Sequence, residues 1–391
     1  MHLASIERLE PRALLAAPIV ITQGGTYRGT WESTSYTTPA VIVKTTAPVI
    51  IENSIVRGPG HLIVSRVDHT NITIRNTKGY GTNPNVYGRS KGRFVSVEDF
   101  NHIVLDSNQL EGTAGIHLLN YAGHRTASNT IKITRNYAHN IDGRKSNGKG
   151  GYLDFNVRTR LSDGKKESGF NYAQFVQLDK VRGVGSIVIA WNRVVNDPGQ
   201  SRVEDNISIY KSSGTKTSPI RIHDNSIQGA YTIKPWQADR KDSVWAYDWS
   251  YRGGGIMLGD GKGATAADDP GFVKAYGNTI VSTTNHGIAL AAGHDLEAYG
   301  NRIVSSGKLA DGRTIAAQNV GLYIWDSYHA GSTRFYNNSA RDNLVGWMKG
   351  TGRNDWWRPG AASFTNNQHW VGTITRATEL AELTRGLARP R

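Results

Sequence analysis

One short phrase, repeated from about residue 40 onward, limits the folds open to this chain more than any other feature. Alternating aliphatic residues are followed by a polar pair and then by Asn. Ile131-Lys132-Ile133-Thr134-Arg135-Asn136, Ile187-Val188-Ile189-Ala190-Trp191-Asn192 and Ile220-Arg221-Ile222-His223-Asp224-Asn225 are clear copies. Val273-Lys274-Ala275-Tyr276-Gly277-Asn278, Leu296-Glu297-Ala298-Tyr299-Gly300-Asn301 and Ile103-Val104-Leu105-Asp106-Ser107-Asn108 continue it, with looser copies at 49–53, 72–76 and 333–338. Each reads as a short period-2 strand ending in a turn residue.

The closing asparagines are 23 residues apart between 278 and 301 and 28 between 108 and 136, with gaps of 53 and 56 elsewhere. A unit in the low twenties with insertions at particular corners is the mark of a solenoid. Asn suits such corners because it tolerates the left-handed conformation, and stacked amides bond to one another as a ladder. The fold class expected is therefore all-β, a single-stranded right-handed parallel β-helix with long loop insertions. A β-sandwich or propeller competes, but its hairpins call for more uniform loops. The expected division is an export-like or disordered segment over 1–18, the β-helix domain over 19–375, and a tail over 376–391 holding a short helix.

A second strand family carries the polar chemistry. Its copies are Ile116-His117-Leu118-Leu119-Asn120, Val176-Gln177-Leu178-Asp179-Lys180, Ile207-Ser208-Ile209-Tyr210-Lys211, Ile256-Met257-Leu258-Gly259-Asp260, Ile288-Ala289-Leu290-Ala291-Ala292 and Leu322-Tyr323-Ile324-Trp325-Asp326. First and third positions are aliphatic, so second and fourth positions point outward. Asp179, Lys180, Tyr210, Lys211 and Asp260 are the catalytic candidates. His117, Gln177, Tyr323, Trp325 and Asp326 flank them as substrate-binding candidates.

Two insertions lead into these strands. The basic one, 143–169, contributes Arg158 and Arg160; the aromatic one, 232–253, contributes Trp236, Trp245 and Trp249. A third, 348–360, adds Trp356 and Trp357. Long loops in repeat proteins map to the binding face, and tryptophans there suit sugar rings, being apolar on the face and polar at the edge.

From 20 to 375 the chain resembles the bacterial right-handed parallel β-helix proteins, a group that includes pectate-lyase-like polysaccharide lyases, glycoside hydrolases and tailspikes. Asp205-Asn206-Ile207-Ser208-Ile209-Tyr210-Lys211-Ser212-Ser213-Gly214-Thr215 and Gly253-Gly254-Gly255-Ile256-Met257-Leu258-Gly259-Asp260-Gly261 carry the resemblance. It implies a carbohydrate-active protein and no named reaction, because the Gly-His-Gly and Arg-x-Lys elements of polygalacturonases and the Arg-x-Pro-x-x-Arg element of pectate lyases are missing. Glu7-Arg8-Leu9-Glu10-Pro11-Arg12-Ala13-Leu14-Leu15-Ala16-Ala17 is similar to an N-terminal signature of large exported bacterial proteins, which implies an extracellular or cell-envelope location.

With 46 Lys+Arg against 32 Asp+Glu the net charge is +14, pointing to a polyanionic partner. No recognition helix or RNP pattern favours nucleic acid, no apolar run is long enough to span a membrane, and the absence of Cys excludes thiolate chemistry. An acidic polysaccharide remains the expected substrate. The first expectation is a polysaccharide lyase: β-elimination asks Lys180 or Lys211 to neutralise a uronate and Tyr210 or Lys211 to move protons. No cofactor is expected unless Asp179 and Asp260 supply oxygen ligands to Ca²⁺. Hydrolysis instead asks Asp179 and Asp260 to flank the scissile bond. A third reading is a non-catalytic glycan-binding or adhesin-type β-helix, and both monomer and homotrimer stay open.

Overall fold

The computed structural model describes residues 17–121, 130–183, 185–249, 252–316, 318–359 and 363–388. The chain is all-β and built on parallel ladders, as the strand phrases require. It visits three ladders in turn. Val41–Val43 lies in the first, Val49–Glu52 in the second and Ile55–Gly58 in the third; Ile63–Ser65, Thr70–Arg75 and Lys78–Gly81 then pair with them in the same order. The pattern persists to the strands Trp356–Trp357, Ser363–Thr365 and Gln368–His369. The long strand Val95–Asp106 runs through both the first and the second ladder and joins them into one hydrogen-bonded network. Such stacking is consistent with a β-helix.

Registration across rungs puts like on like. In the first ladder Val95, Ile116, Val176, Ile207, Ile256 and Ile288 stack in one inward row, all fully buried. Each contributes about 1.5–3 kcal/mol by leaving water, and β-branched side chains suit the pleated surface. The expected asparagine ladder is present at the end of the second-ladder strands. Nδ2 of Asn108, Asn136, Asn192, Asn225, Asn278, Asn301 and Asn343 donates to Oδ1 of the next, ending on Asn367, at 2.7–3.0 Å.

The corner conformation sits one residue earlier than expected. Ser107, Arg135, Trp191 and Asp224 hold the positive φ, whereas the ladder asparagines do not. In the first rungs Asn53 and Asn76 take the left-handed corner (φ 49° each), so Ser54 and Thr77 stand where the ladder would continue. Thr77 N–H still donates to Asn108 Oδ1.

The insertions at 143–169 and 232–253 pair with each other. Strands Lys166–Ser168, Val157–Arg160, Trp245–Asp248 and Arg240–Lys241 form a four-stranded antiparallel sheet beside the first ladder. Phe155, Phe170, Ile233 and Trp249 pack beneath it. In the tail, Thr375 caps a helix over Arg376–Leu387, whose Leu383 covers Val281 and Val304 on the outside of the third ladder. The export-like segment lies outside the described residues apart from Ala17 and Pro18. No helix among the described residues is long and apolar enough to cross a membrane.

Candidate functional site

The outward face of the first ladder carries two rows. Ser96, His117, Gln177, Ser208 and Met257 form one, continuing through Ala289 and Tyr323 to Trp357. Glu98, Leu119, Asp179, Tyr210 and Asp260 form the other. One extra residue between Met257 and Asp260 shifts the register and brings Asp260 level with Tyr210. Asp179, Tyr210 and Asp260 thus stand together on consecutive rungs. Gln177 pairs with Ser208 in the neighbouring row.

Two strand spacings separate Asp179 from Asp260, about 9.5 Å along the ladder. Among the described residues no group of three or more acidic, His or Cys side chains is placed to hold a metal.

The two carboxylates differ in setting. His117 Nε2 lies 3.2 Å from Asp179 Oδ2, while the buried Asp179 Oδ1 has no hydrogen-bond partner. Beneath them Arg93 is buried and donates to the carbonyls of Ala114, Gln174 and Tyr172 and, at 3.3 Å, to Gln177 Oε1. Burial pulls its guanidinium down to about 10. Asp260 accepts from the Tyr328 hydroxyl at 2.8 Å, and burial raises its carboxyl above the usual range.

The lysines are engaged or turned outward. Lys211 Nζ donates to Gly263 O at 2.7 Å and pairs with Asp268 at 3.1 Å, which raises its ammonium. Tyr210 donates to Lys262 O in the same loop. Lys180 is exposed at a left-handed corner, φ 54°.

Sequence reasoning passed over a buried pair next to this row. His286 Nε2 is 3.4 Å from Asp205 Oδ1. They meet across Gly254, where a Cβ would lie 2.1 Å from Asp205 Oδ1 and 2.4 Å from the imidazole. Burial pushes His286 down to about 3 and Asp205 well up, so both shifts favour the neutral forms. The run Gly253-Gly254-Gly255 was the available signal.

The aromatic candidates divide. Trp249 is 1% exposed and lies in the core beneath the insertion sheet, so it offers no face to a ligand. Trp356 stacks on His369 and meets Phe364 edge-on at the end of the coil. Trp236 lies under Arg313, with Tyr231, Leu309 and Ile315, away from the aspartates. Trp245 is covered by Arg158 and Arg160, which also pair with Glu167 and Asp163. The Asp326 carboxylate accepts from the Ala330 and Gly331 N–H groups and holds a turn. Tyr323, Trp325 and Trp357 do come together. With Val320, Lys349 and the asparagines 285, 319 and 354 they line a cavity of about 630 Å³ at the C-terminal end of the face. The signal for the asparagines was there: Asn285-His286-Gly287-Ile288 and Asn319-Val320-Gly321-Leu322 share one pattern.

Comparisons with family models, with curated proteins and with solved structures return no match to this chain.

Proposed function

We propose that this chain is a right-handed parallel β-helix of the pectate-lyase-like kind, exported from the cell, and that it cleaves an acidic polysaccharide by hydrolysis. The handedness rests on the strong right-handed preference of parallel crossover connections. The single observation that carries the reaction is the row Asp179–Tyr210–Asp260, in which burial raises the Asp260 carboxyl. A backbone separation of about 9.5 Å along the ladder is compatible with the spacing of the carboxyl groups in inverting enzymes, which leaves room for a water between them.

In this scheme Asp260, whose carboxyl burial raises above the usual range, gives its proton to the glycosidic oxygen as the bond to the anomeric carbon breaks. Water attacks that carbon from the opposite side, and Asp179 takes the proton that the water releases. Tyr328 orients the acid and His117 orients the base. One proton leaves Asp260 and one arrives at Asp179, so the pair must be reset by solvent after each turnover.

The +14 net charge favours a second reading, β-elimination on a uronate chain. Its weak point is Lys211, whose ammonium is already held by Asp268 and Gly263. Incubating the protein with a panel of polyuronates and neutral glucans separates the readings. Hydrolysis yields new reducing ends without the absorbance of an unsaturated sugar; elimination yields that absorbance. Retention of glycan with neither product overturns catalysis and leaves a binding protein.

A further inference from the structure

The cavity of about 630 Å³ beyond the aspartates is built differently from the rest of the face. We infer that it is a subsite for a sugar ring bearing an anionic group, a carboxylate or a sulfate. This deepens the proposed function and rests only on its glycan part.

Its size lies within the range of small-ligand sites, which are apolar with a few placed polar groups. Trp325 and Trp357 are 42% and 53% exposed, and Trp357 stands directly beside Tyr323 in the row. Exposed indoles around a concavity give a ring two apolar faces to lie against.

The polar wall is a column of amides on consecutive rungs. Asn319 Nδ2 donates to Asn285 Oδ1 at 3.1 Å, and Asn354 Nδ2 donates to Asn319 O at 2.9 Å. Nδ2 of Asn285 and Oδ1 of Asn319 and Asn354 keep no partner among the described residues, leaving one donor group and two acceptors for hydroxyls. Among the described residues Lys349 is the only charged one in the lining, and it makes no ion pair with them. A neutral ring would leave that ammonium unused; an anion on the ring pairs with it and meets no lining carboxylate.

The test uses three tetrasaccharides: an oligoglucuronate, the same chain after carboxyl reduction, and that neutral chain O-sulfated. Binding is read by tryptophan fluorescence and calorimetry on the full chain, both wild type and Asp260→Asn to prevent cleavage. At least one anionic tetramer binds tenfold or more tightly than the neutral one, and which anion binds identifies the group recognised. Lys349→Gln brings its affinity to the neutral level, and Trp357→Ala weakens all binding at least tenfold. Both side chains are exposed, so the variants fold. Equal affinity for charged and neutral chains, indifference to Lys349→Gln, or no binding overturns the inference. Cleavage without binding at the cavity overturns the subsite alone, whereas binding by a protein that cleaves nothing overturns the reaction alone.

Discussion

Two columns of asparagine run along this molecule, and they use the same amide differently. In the buried corner column each interior Asn spends both ends of its side chain on the protein. Asn192, for instance, donates to Ile133 O and Asn225 Oδ1 and accepts from the backbone and side chain of Asn136. In the cavity column Asn285, Asn319 and Asn354 are joined by two side-chain bonds and leave donors and acceptors open among the described residues. Repetition alone therefore does not mark function. What separates the columns is satisfaction: a buried amide with every partner in place holds the coil, and a half-exposed one with atoms to spare can hold a ligand.

The groove row extends that contrast to charge, and it gives the largest expected effect. Asp260→Asn removes the proton donor while keeping the shape and the bond from Tyr328. Its activity should fall about 10³-fold, within the range for loss of a general acid, with little change in unfolding midpoint. Unchanged turnover in a steady-state assay would remove Asp260 from the reaction.

The corner column should answer in the opposite currency. Asn192→Ala removes the acceptor of the Asn136 N–H, one of the two acceptors of the Asn136 amide and the side-chain donor to the Ile133 carbonyl at once. It should cost about 3 kcal/mol by denaturant unfolding, since each buried unsatisfied group costs about 1–3 kcal/mol and relaxation recovers part. Whatever activity the folded fraction has should be preserved.

His286 supplies a third, pH-dependent test. Its folded value near 3 lies below the ordinary 6.5, so the unfolded chain takes up the proton first. The contribution of His286 is intact above pH 6.5 and is lost as pH falls towards 3. Linkage gives a loss of about 2 kcal/mol between pH 7 and pH 5. His286→Gln should flatten this part of the stability profile; an unchanged slope would mean that other groups govern it. His61, lowered to about 4 by burial and by the neighbouring Arg93, titrates over the same window, and its slope survives in the variant.

The smallest effect sharpens the comparison most directly. Asn319→Ala should cost below about 1 kcal/mol, because the Asn354 amide bonds to its backbone carbonyl, which remains. Glycan binding should nevertheless weaken several-fold in a titration. If Asn319→Ala destabilised as much as Asn192→Ala, the two columns would be the same device.

Much of the architecture was legible from the chain. Period-2 runs with aliphatic residues in alternate positions leave one face inside, and recurrence with Asn forces like residues into stacked rows. That reasoning located the outward face, the pairing of Asp179 with Tyr210 and the asparagine ladder, but it set Asp260 level with Lys211, and only the extra residue in its strand brings it beside Tyr210. It misjudged the corner by one residue because Asn is suited both to a left-handed turn and to a ladder, and only packing selects between them. It also treated every loop tryptophan alike, whereas Trp249 and Trp356 became core and Trp325 and Trp357 stayed open.

By itself the sequence determined which residues face in and which face out, since side-chain alternation is a local property of extended backbone. Only the tertiary structure decided which outward groups were free. Lys211 meets Asp268 after a long excursion of the chain, the basic and aromatic insertions close on each other as one sheet, and Asp205 meets His286 across Gly254. Those pairings depend on how far each insertion bends before it returns to the ladder. Loop closure and burial fix that distance, and spacing along the chain carries no record of it.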